Sequence, residues 1–337
     1  MHVRLRPLAE QVVVITGASS GIGLITARKA AAAGAKLVLV ARNETALAEI
    51  ARDMNSRDQP AIFVVADVGD PREVEQAAQR AVERFGRIDT WINNAGVTIY
   101  ATLSETPIGE HERMFRTNYF GVVNGTSAAL PHLRAQGGAL ITVASIVSDI
   151  PTPLMGAYSA SKHAVKAFVN SLRIELKQEG APIAVTLIKP AGIDTPIAQH
   201  AANHQQGEAR IPPLVYDPEL VADAILDAAE HPRRDVTVGG AGRLNVLVGT
   251  HFPALLDRLA PLLVPFLEDK RRAPTPDDNL FGPAADGEVR SPIERGKSVS
   301  LYTLAGRHKP LVLGTIAALA IGGFVTRRAL HRPDPAD

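Results

Sequence analysis

Tyr158 and Lys162, four residues apart in Tyr158-Ser159-Ala160-Ser161-Lys162, are a pair with chemical potential. At that spacing on a helix the two side chains lie on one face, about a turn apart. A free phenol has a pKa near 10, too high for a base at neutral pH. A neighbouring ammonium favours the phenolate and is expected to lower that value, which tunes the phenol as a general acid or base. Alone, the spacing describes many surface pairs. Here Ser145 precedes Tyr158 by thirteen residues and follows the apolar run 139–143. Asn93-Asn94-Ala95-Gly96 follows another such run, 88–92, and Asn118 lies within Thr117-Asn118-Tyr119-Phe120-Gly121.

A second chemical signature stands near the N-terminus, in Thr16-Gly17-Ala18-Ser19-Ser20-Gly21-Ile22-Gly23. It follows a β-branched run and opens an Ala-rich helical stretch, the setting in which a glycine turn binds a dinucleotide. Gly17 permits the tight turn, Gly21 lets backbone approach a pyrophosphate, and Gly23 lets the helix pack closely on the sheet. The helix N-terminus presents free N–H groups and a positive dipole end to the anion. At the end of the next apolar run a carboxylate would select NAD through the ribose 2′-hydroxyl. The chain has Ala41-Arg42 instead, and an Arg suits a 2′-phosphate. The expected cofactor is therefore NADP(H) rather than NAD(H). Asp67, after the third run, either accepts from an adenine amino group or caps the helix beginning near Pro71.

The elements that must position these groups alternate. Apolar runs at 12–15, 36–40, 61–65, 88–92, 139–143 and 183–188 predict strands. Helical patterns at 22–33, 44–55, 71–85, 110–134 and 155–178 separate them. This order implies right-handed βαβ crossovers and a parallel sheet covered on both faces, with ligands at the carboxyl ends of its strands. Residues 193–216 read as a lobe or lid, 221–229 as a short helix and 235–238 as a final strand. There is no internal repeat.

Composition excludes several alternatives. The chain has 337 residues, 46% hydrophobic and 21% charged, which is not a disordered composition. Its 36 Lys+Arg against 35 Asp+Glu leave a net charge of +1 and no general attraction to nucleic acid. With no cysteine, disulfides, thiolate metal sites and a thiol nucleophile are excluded. The ten His show no metal-like spacing except His200 and His204, in a segment that reads as an exposed polar face, and no metal is expected. Trp91 reads as core, and His163 as a helix-face residue pointing away from the site. No secretory signal is read at the N-terminus.

Together the motifs resemble the short-chain dehydrogenase/reductase family over roughly residues 8–240, in the family's order and spacing. The resemblance implies a Rossmann-like, doubly wound α/β domain that moves hydride between a nicotinamide and a carbonyl or alcohol carbon. It implies a catalytic set of Asn118, Ser145, Tyr158 and Lys162. Tyr158 would be the acid/base, Lys162 would lower its pKa and hold the nicotinamide ribose, Ser145 would bond the substrate oxygen, and Asn118 would support a proton-relaying water. The cofactor set it implies is Thr16, Gly17, Ser19, Ser20, Gly21, Ile22, Gly23, Arg42, Asp67, Val68, Asn94, Ala95, Gly96, Tyr158, Lys162, Pro190, Ile193 and Thr195. Asn93 would help brace the central strands. One departure is Pro190-Ala191-Gly192 where the family usually has Pro-Gly; it removes no chemical group.

The expected organisation is one catalytic domain at 1–245, an amphipathic helix at 246–268, a Pro/Gly-rich linker or arm at 269–309 and an apolar segment at 310–326. That last segment has 17 residues without charge, bracketed by Arg307-His308-Lys309 and Arg327-Arg328. As a helix it would span roughly 25 Å, just short of a hydrocarbon core of about 30 Å. It reads as a membrane anchor; packing against the domain or a partner subunit is the alternative. The expected partners are a small hydrophobic carbonyl or alcohol substrate and further copies in a homo-dimer or homo-tetramer. The expected location is a cytoplasmic catalytic domain, membrane-associated through the C-terminus. The competing functions are a catalytically silent NADP(H)-binding sensor or scaffold tethered to a membrane, and an epimerase or dehydratase on the same fold.

Overall fold

The computed structural model describes residues 3–300 and 302–303. Segment 310–326 lies outside them.

Seven strands form one parallel sheet: β1 Val12–Thr16, β2 Lys36–Ala41, β3 Ala61–Val65, β4 Thr90–Asn93, β5 Gly138–Val143, β6 Ile183–Pro190 and β7 Asp235–Val238. Their spatial order is β3-β2-β1-β4-β5-β6-β7. Val14 pairs with Val38 on one side of β1 and with Trp91 on the other. The order therefore reverses between β1 and β4, and a crevice opens there beyond the strands' carboxyl ends.

The strands are apolar on both faces because both faces are covered. Val13, Ile15, Leu37, Leu39 and Ile141 point to one side and pack in a cluster with α1 (Gly21–Ala32), α2 (Glu44–Asn55) and α7 (Pro218–Glu230). Their alternates Val14, Val38, Val40 and Leu140 face α3 (Pro71–Phe85), α5 (Gly121–Gln136) and α6 (Gly156–Glu179). Trp91 is fully buried in this second cluster, as expected.

The helix expected at 110–134 is interrupted. α4 (Ile108–Phe115) passes through a π-helical turn, Arg116–Phe120, before α5 begins, and Asn118 sits in that turn. Such turns are rare and concentrate at functional sites.

Gly23 is fixed by packing. A Cβ built there would lie 1.9 Å from the carbonyl oxygen of Gly17. Gly23→Ala is expected to lower stability by about 3 kcal/mol or more, because the obstacle is backbone. Gly86 ends α3 with φ +80 and has nothing within 4 Å of its Cβ position. Gly86→Ala should cost only about 1 kcal/mol, the conformational strain alone. Urea unfolding of the two variants measures the contrast.

The C-terminal part departs most from expectation. Helix α8, Gly240–His251, was not anticipated and runs across the expected boundary at residue 245. The amphipathic helix breaks into α9 (Pro253–Leu259) and a 3₁₀ stretch, Ala260–Phe266, where Pro261 and Pro265 cannot continue an α-helix. The lobe contributes two short ladders. Ile99–Tyr100 pairs with Ala202–Asn203, and Glu208–Ala209 pairs with Glu268–Asp269 from beyond the 3₁₀ stretch. The chain then turns back over the crevice instead of leaving as a linker.

Candidate active site

The crevice at the strand ends is a continuous cavity of about 530 Å³. One end is formed by the turn before α1, with Ser20 and Gly21. The other is formed by Met155 before α6 and by Leu259 of α9.

Tyr158 and Lys162 project from the first turns of α6 into its centre, and both are buried. Ser145 follows β5, where its side chain caps the 3₁₀ turn Ile146–Ser148 by accepting from the Val147 N–H at 3.3 Å. It also hydrogen-bonds the Tyr158 hydroxyl. Lys162 donates from Nζ to the Val143 carbonyl at 3.2 Å and stands 5.6 Å from the centre of the Tyr158 ring. Burial pushes the Tyr158 phenol up to about 12, against a lowering influence from Ser145. Burial also brings the Lys162 ammonium down to about 8. Lys162 is turned to Val143, and burial governs the direction in which both groups shift.

Asn118 is also fully buried but does not line the cavity. Its Oδ1 accepts from the Val97 N–H at 2.8 Å, and its Nδ2 donates to the Val97 carbonyl and to Ser161 Oγ. Ser161 Oγ in turn donates to the Tyr158 carbonyl at 2.7 Å. The side chain thus ties the loop after β4 to α6, and every polar atom on it is engaged in this scaffold. Asp149 supports the other flank. It accepts from Lys189 at 2.8 Å and from Lys166. Burial raises its carboxyl, but the two lysines outweigh that and hold it below the usual carboxylate range. The sequence offered no signal for this ion triad, since its members lie on three separate elements.

Of the residues implied for a cofactor, Thr16 and Gly23 lie behind the wall and the others line it. Thr16 Oγ1 accepts from the N–H groups of Asn94 and Ala95 at 3.0 and 3.1 Å, and Asn94 Nδ2 donates to the Thr16 and Gly17 carbonyls. These bonds join the two loops across the point where the strand order reverses. Ser20 makes no side-chain cap on α1, whereas Asn43, Asp70 and Asp217 cap α2, α3 and α7. A helix start without a side-chain cap beside a cavity suits a phosphate group, although the Gly21 N–H is already taken by the Glu288 carbonyl. Asp67 does not cap α3. It accepts from the Gly69 N–H and from Arg113 Nη2 at 2.7 Å.

The described part of segment 269–309, expected as a linker or arm, returns over the cavity; its contacts were not legible, because its Pro, Gly and charged residues carry no periodicity. Its Gly287 N–H donates to the Ser19 carbonyl, and its Glu288 carbonyl accepts from the Gly21 N–H at 2.9 Å. Arg42 donates to the backbone oxygens of Asn279 and Leu280, and Arg113 Nε donates to Leu280. Further along, the Ser291 and Gly296 N–H groups each donate to the buried Asp194 carboxylate at 3.0 Å. Asp194 lies between Ile193 and Thr195, two residues of the cavity wall, so the same arm also fixes that part of the wall. His204 pairs with Glu110 at 2.8 Å, and among the described residues no three His, Asp or Glu side chains are grouped so as to hold a metal ion.

A helix start without a side-chain cap, a continuous cavity at the strand ends and a buried Tyr158 beside Ser145 fit the nucleotide-dependent oxidoreductases built on a doubly wound sheet. The sequence pattern described as short chain dehydrogenase matches residues 11–206. The uncharacterized oxidoreductase YxnA of Bacillus subtilis is 40% identical over 98% of this chain and 93% of its own length. The 11-beta-hydroxysteroid dehydrogenase A of Arachis hypogaea is 33% identical over 85% of this chain and 86% of its own. An alcohol dehydrogenase from the archaeon Thermococcus sibiricus, solved with 5-hydroxy-NADP, superposes with a TM-score of 0.61 at 26% identity. That match covers 69% of this chain and 97% of the archaeal one. The chain belongs to the short-chain dehydrogenase/reductase family, whose members bind a nicotinamide cofactor, and it is an oxidoreductase acting on CH–OH groups.

Proposed function

We propose that the protein is an NADP(H)-dependent oxidoreductase of hydrophobic alcohols or ketones, with Tyr158 as its general acid/base. The observation that carries this reading is the Tyr158 hydroxyl, buried, bonded to Ser145 and facing the cavity. A bound nicotinamide supplies or accepts the hydride. In reduction, Ser145 and Tyr158 hold the carbonyl oxygen, and Tyr158 delivers its proton there. In oxidation the same hydroxyl must first lose its proton. Lys162 lines the same cavity 5.6 Å from the Tyr158 ring and would hold the ribose hydroxyls of a bound cofactor. Asn118 acts through the loop after β4 and α6, which it fixes.

The substrate end supports an apolar compound. Ile146, Val147, Ile150, Pro151 and Met155 line it, joined by Leu256 and Leu263 from the C-terminal helices. Arg42, Asp67, Lys162 and Asp286 are the only Lys, Arg, Asp or Glu among the described lining residues. No basic cluster grips a carboxylate or phosphate at that end. The hydroxysteroid named for the Arachis hypogaea relative agrees with this reading. A spectrophotometric scan of NADPH oxidation over carbonyl compounds tests it; tight NADPH binding without turnover of any of them would favour the silent sensor.

Arg42 is proposed as the selector for NADP(H). The Asp67 carboxylate, which lines the cavity, is already paired with Arg113 at 2.7 Å. Losing a charge-assisted bond costs about 1.5–3 kcal/mol. Arg42→Ala is therefore expected to weaken NADPH binding by roughly 10- to 100-fold and NADH binding by no more than about 2-fold. Fluorescence titration with each cofactor decides this; equal losses for both would remove Arg42 from the selection.

The catalytic domain is further proposed to be cytoplasmic, homo-dimeric or homo-tetrameric, and held at a membrane by residues 310–326. No helix among the described residues is long and apolar enough to cross a membrane. Vesicle flotation of the full chain and of a chain ending at Arg307 tests the anchor.

A further inference from the structure

Helices that flank the sheet bury an apolar stripe, but the C-terminal helices do not. Gly242 and Val246 are the only buried residues of α8, and neither α9 nor the 3₁₀ stretch Ala260–Phe266 has any. Instead Leu244, Phe252, Leu255, Leu259, Leu262 and Phe266 are all exposed, Leu262 at 65%. Contiguous apolar surface of this kind on a soluble face marks an interaction site. Between Gly240 and Leu267 the only Lys, Arg, Asp or Glu residues are Arg243, Asp257 and Arg258.

We infer that this rim is a lipid-docking surface and that the cavity opens through it toward the apolar layer of a membrane. Two observations select lipid over other occupants. First, Leu244 and Leu259 belong to both the exposed rim and the cavity wall, so the apolar surface continues into the mouth of the site. A second copy seated there would close that mouth, whereas a bilayer would leave it open to lipid-soluble compounds. Second, the described chain ends beside the rim. Thr303 Oγ1 accepts from the Gly239 N–H at 3.1 Å, one residue before α8 starts. Pro310 follows seven residues later and opens the charge-free, basic-bracketed segment. Seven residues reach at most about 25 Å, so the start of that segment is tethered close to the rim. The route for substrate rests on the oxidoreductase reading given above; the docking itself does not.

The absence of cysteine permits a direct test on the full chain. Leu262→Cys and Phe266→Cys, each labelled with nitrobenzoxadiazole, place a polarity-sensitive probe on the rim. Glu83→Cys on α3 provides an exposed control away from it. With vesicles of phosphatidylcholine and phosphatidylglycerol, the two rim probes are expected to shift to the blue and to be quenched by nitroxide-labelled lipid, while the control does neither. Unshifted rim probes overturn the proposal, whether or not the protein floats with the vesicles. A blue shift without vesicles that grows with protein concentration overturns it in favour of a second copy. Turnover is not read, so failure of the catalytic assignment and failure of docking are separable.

Discussion

Tyr158→Phe should lower kcat for carbonyl reduction by roughly 10²–10⁴-fold, the usual contribution of a positioned acid or base. NADPH affinity should stay within about 2-fold of the parent, because the hydroxyl faces Ser145 and the substrate position rather than the phosphate end. Stability should change by no more than about 1 kcal/mol, since one neutral hydrogen bond is lost and the ring is kept. The pH dependence of the parent carries the complementary evidence. With the phenol held up to about 12 by burial, Tyr158 is protonated throughout the neutral range and ready to donate in reduction. Oxidation needs the deprotonated form, so kcat/KM for an alcohol should climb by about tenfold per pH unit from 6 to 8, while the reductive value stays nearly level. Steady-state kinetics of both directions in parent and variant check this. A variant that turns over at the parental rate would remove Tyr158 from the chemistry.

The parts of this site that were legible in the sequence are those written in a local pattern. The glycine turn after β1, the Tyr158–Lys162 spacing on α6 and Ser145 after β5 each lie within a few residues of the element that aims them. The strand–helix alternation places their ends together once the sheet is parallel. What could not be read depends on distant pairing. Asp149 meets Lys189 and Lys166 only because β6 and α6 come together beside the turn after Ser145. Asp194 gains its role from backbone N–H groups about a hundred residues away. The π-helical turn at Asn118 has no periodicity of its own, and Pro261 and Pro265 divided a helix that the leucine stripe had made continuous. Arg42 was legible as a cation at the strand end, but its commitment to the arm's carbonyl oxygens was not. Those bonds leave part of the guanidinium facing the cavity, and they link cofactor selection to how firmly the arm is held.

Lys162 lies where function and stability oppose one another, and Lys162→Met should separate them. A lysine brought from 10.5 to about 8 by burial is charged at neutral pH at a cost of roughly 3 kcal/mol to the folded chain. Between about 8 and 10.5 the unfolded chain binds the extra proton and the folded chain does not, so the parent's stability rises with pH across that window from this group. Below about 8 the penalty is fully present; above 10.5 it is gone. Met keeps the stem's volume and has no charge, while the Val143 carbonyl loses its partner, which offsets part of the gain. Lys162→Met is therefore expected to be more stable than the parent by about 1–3 kcal/mol at pH 7, with the difference vanishing toward pH 10.5. Its turnover should fall by roughly 10²-fold or more, because the positive charge beside the Tyr158 phenol and the N–H groups behind it are gone. Urea unfolding at several pH values, with kcat measured on the same preparations, reads both effects. A variant less stable than the parent at pH 7 would show that burial does not depress the Lys162 pKa, and the stability penalty assigned to its charge would fall.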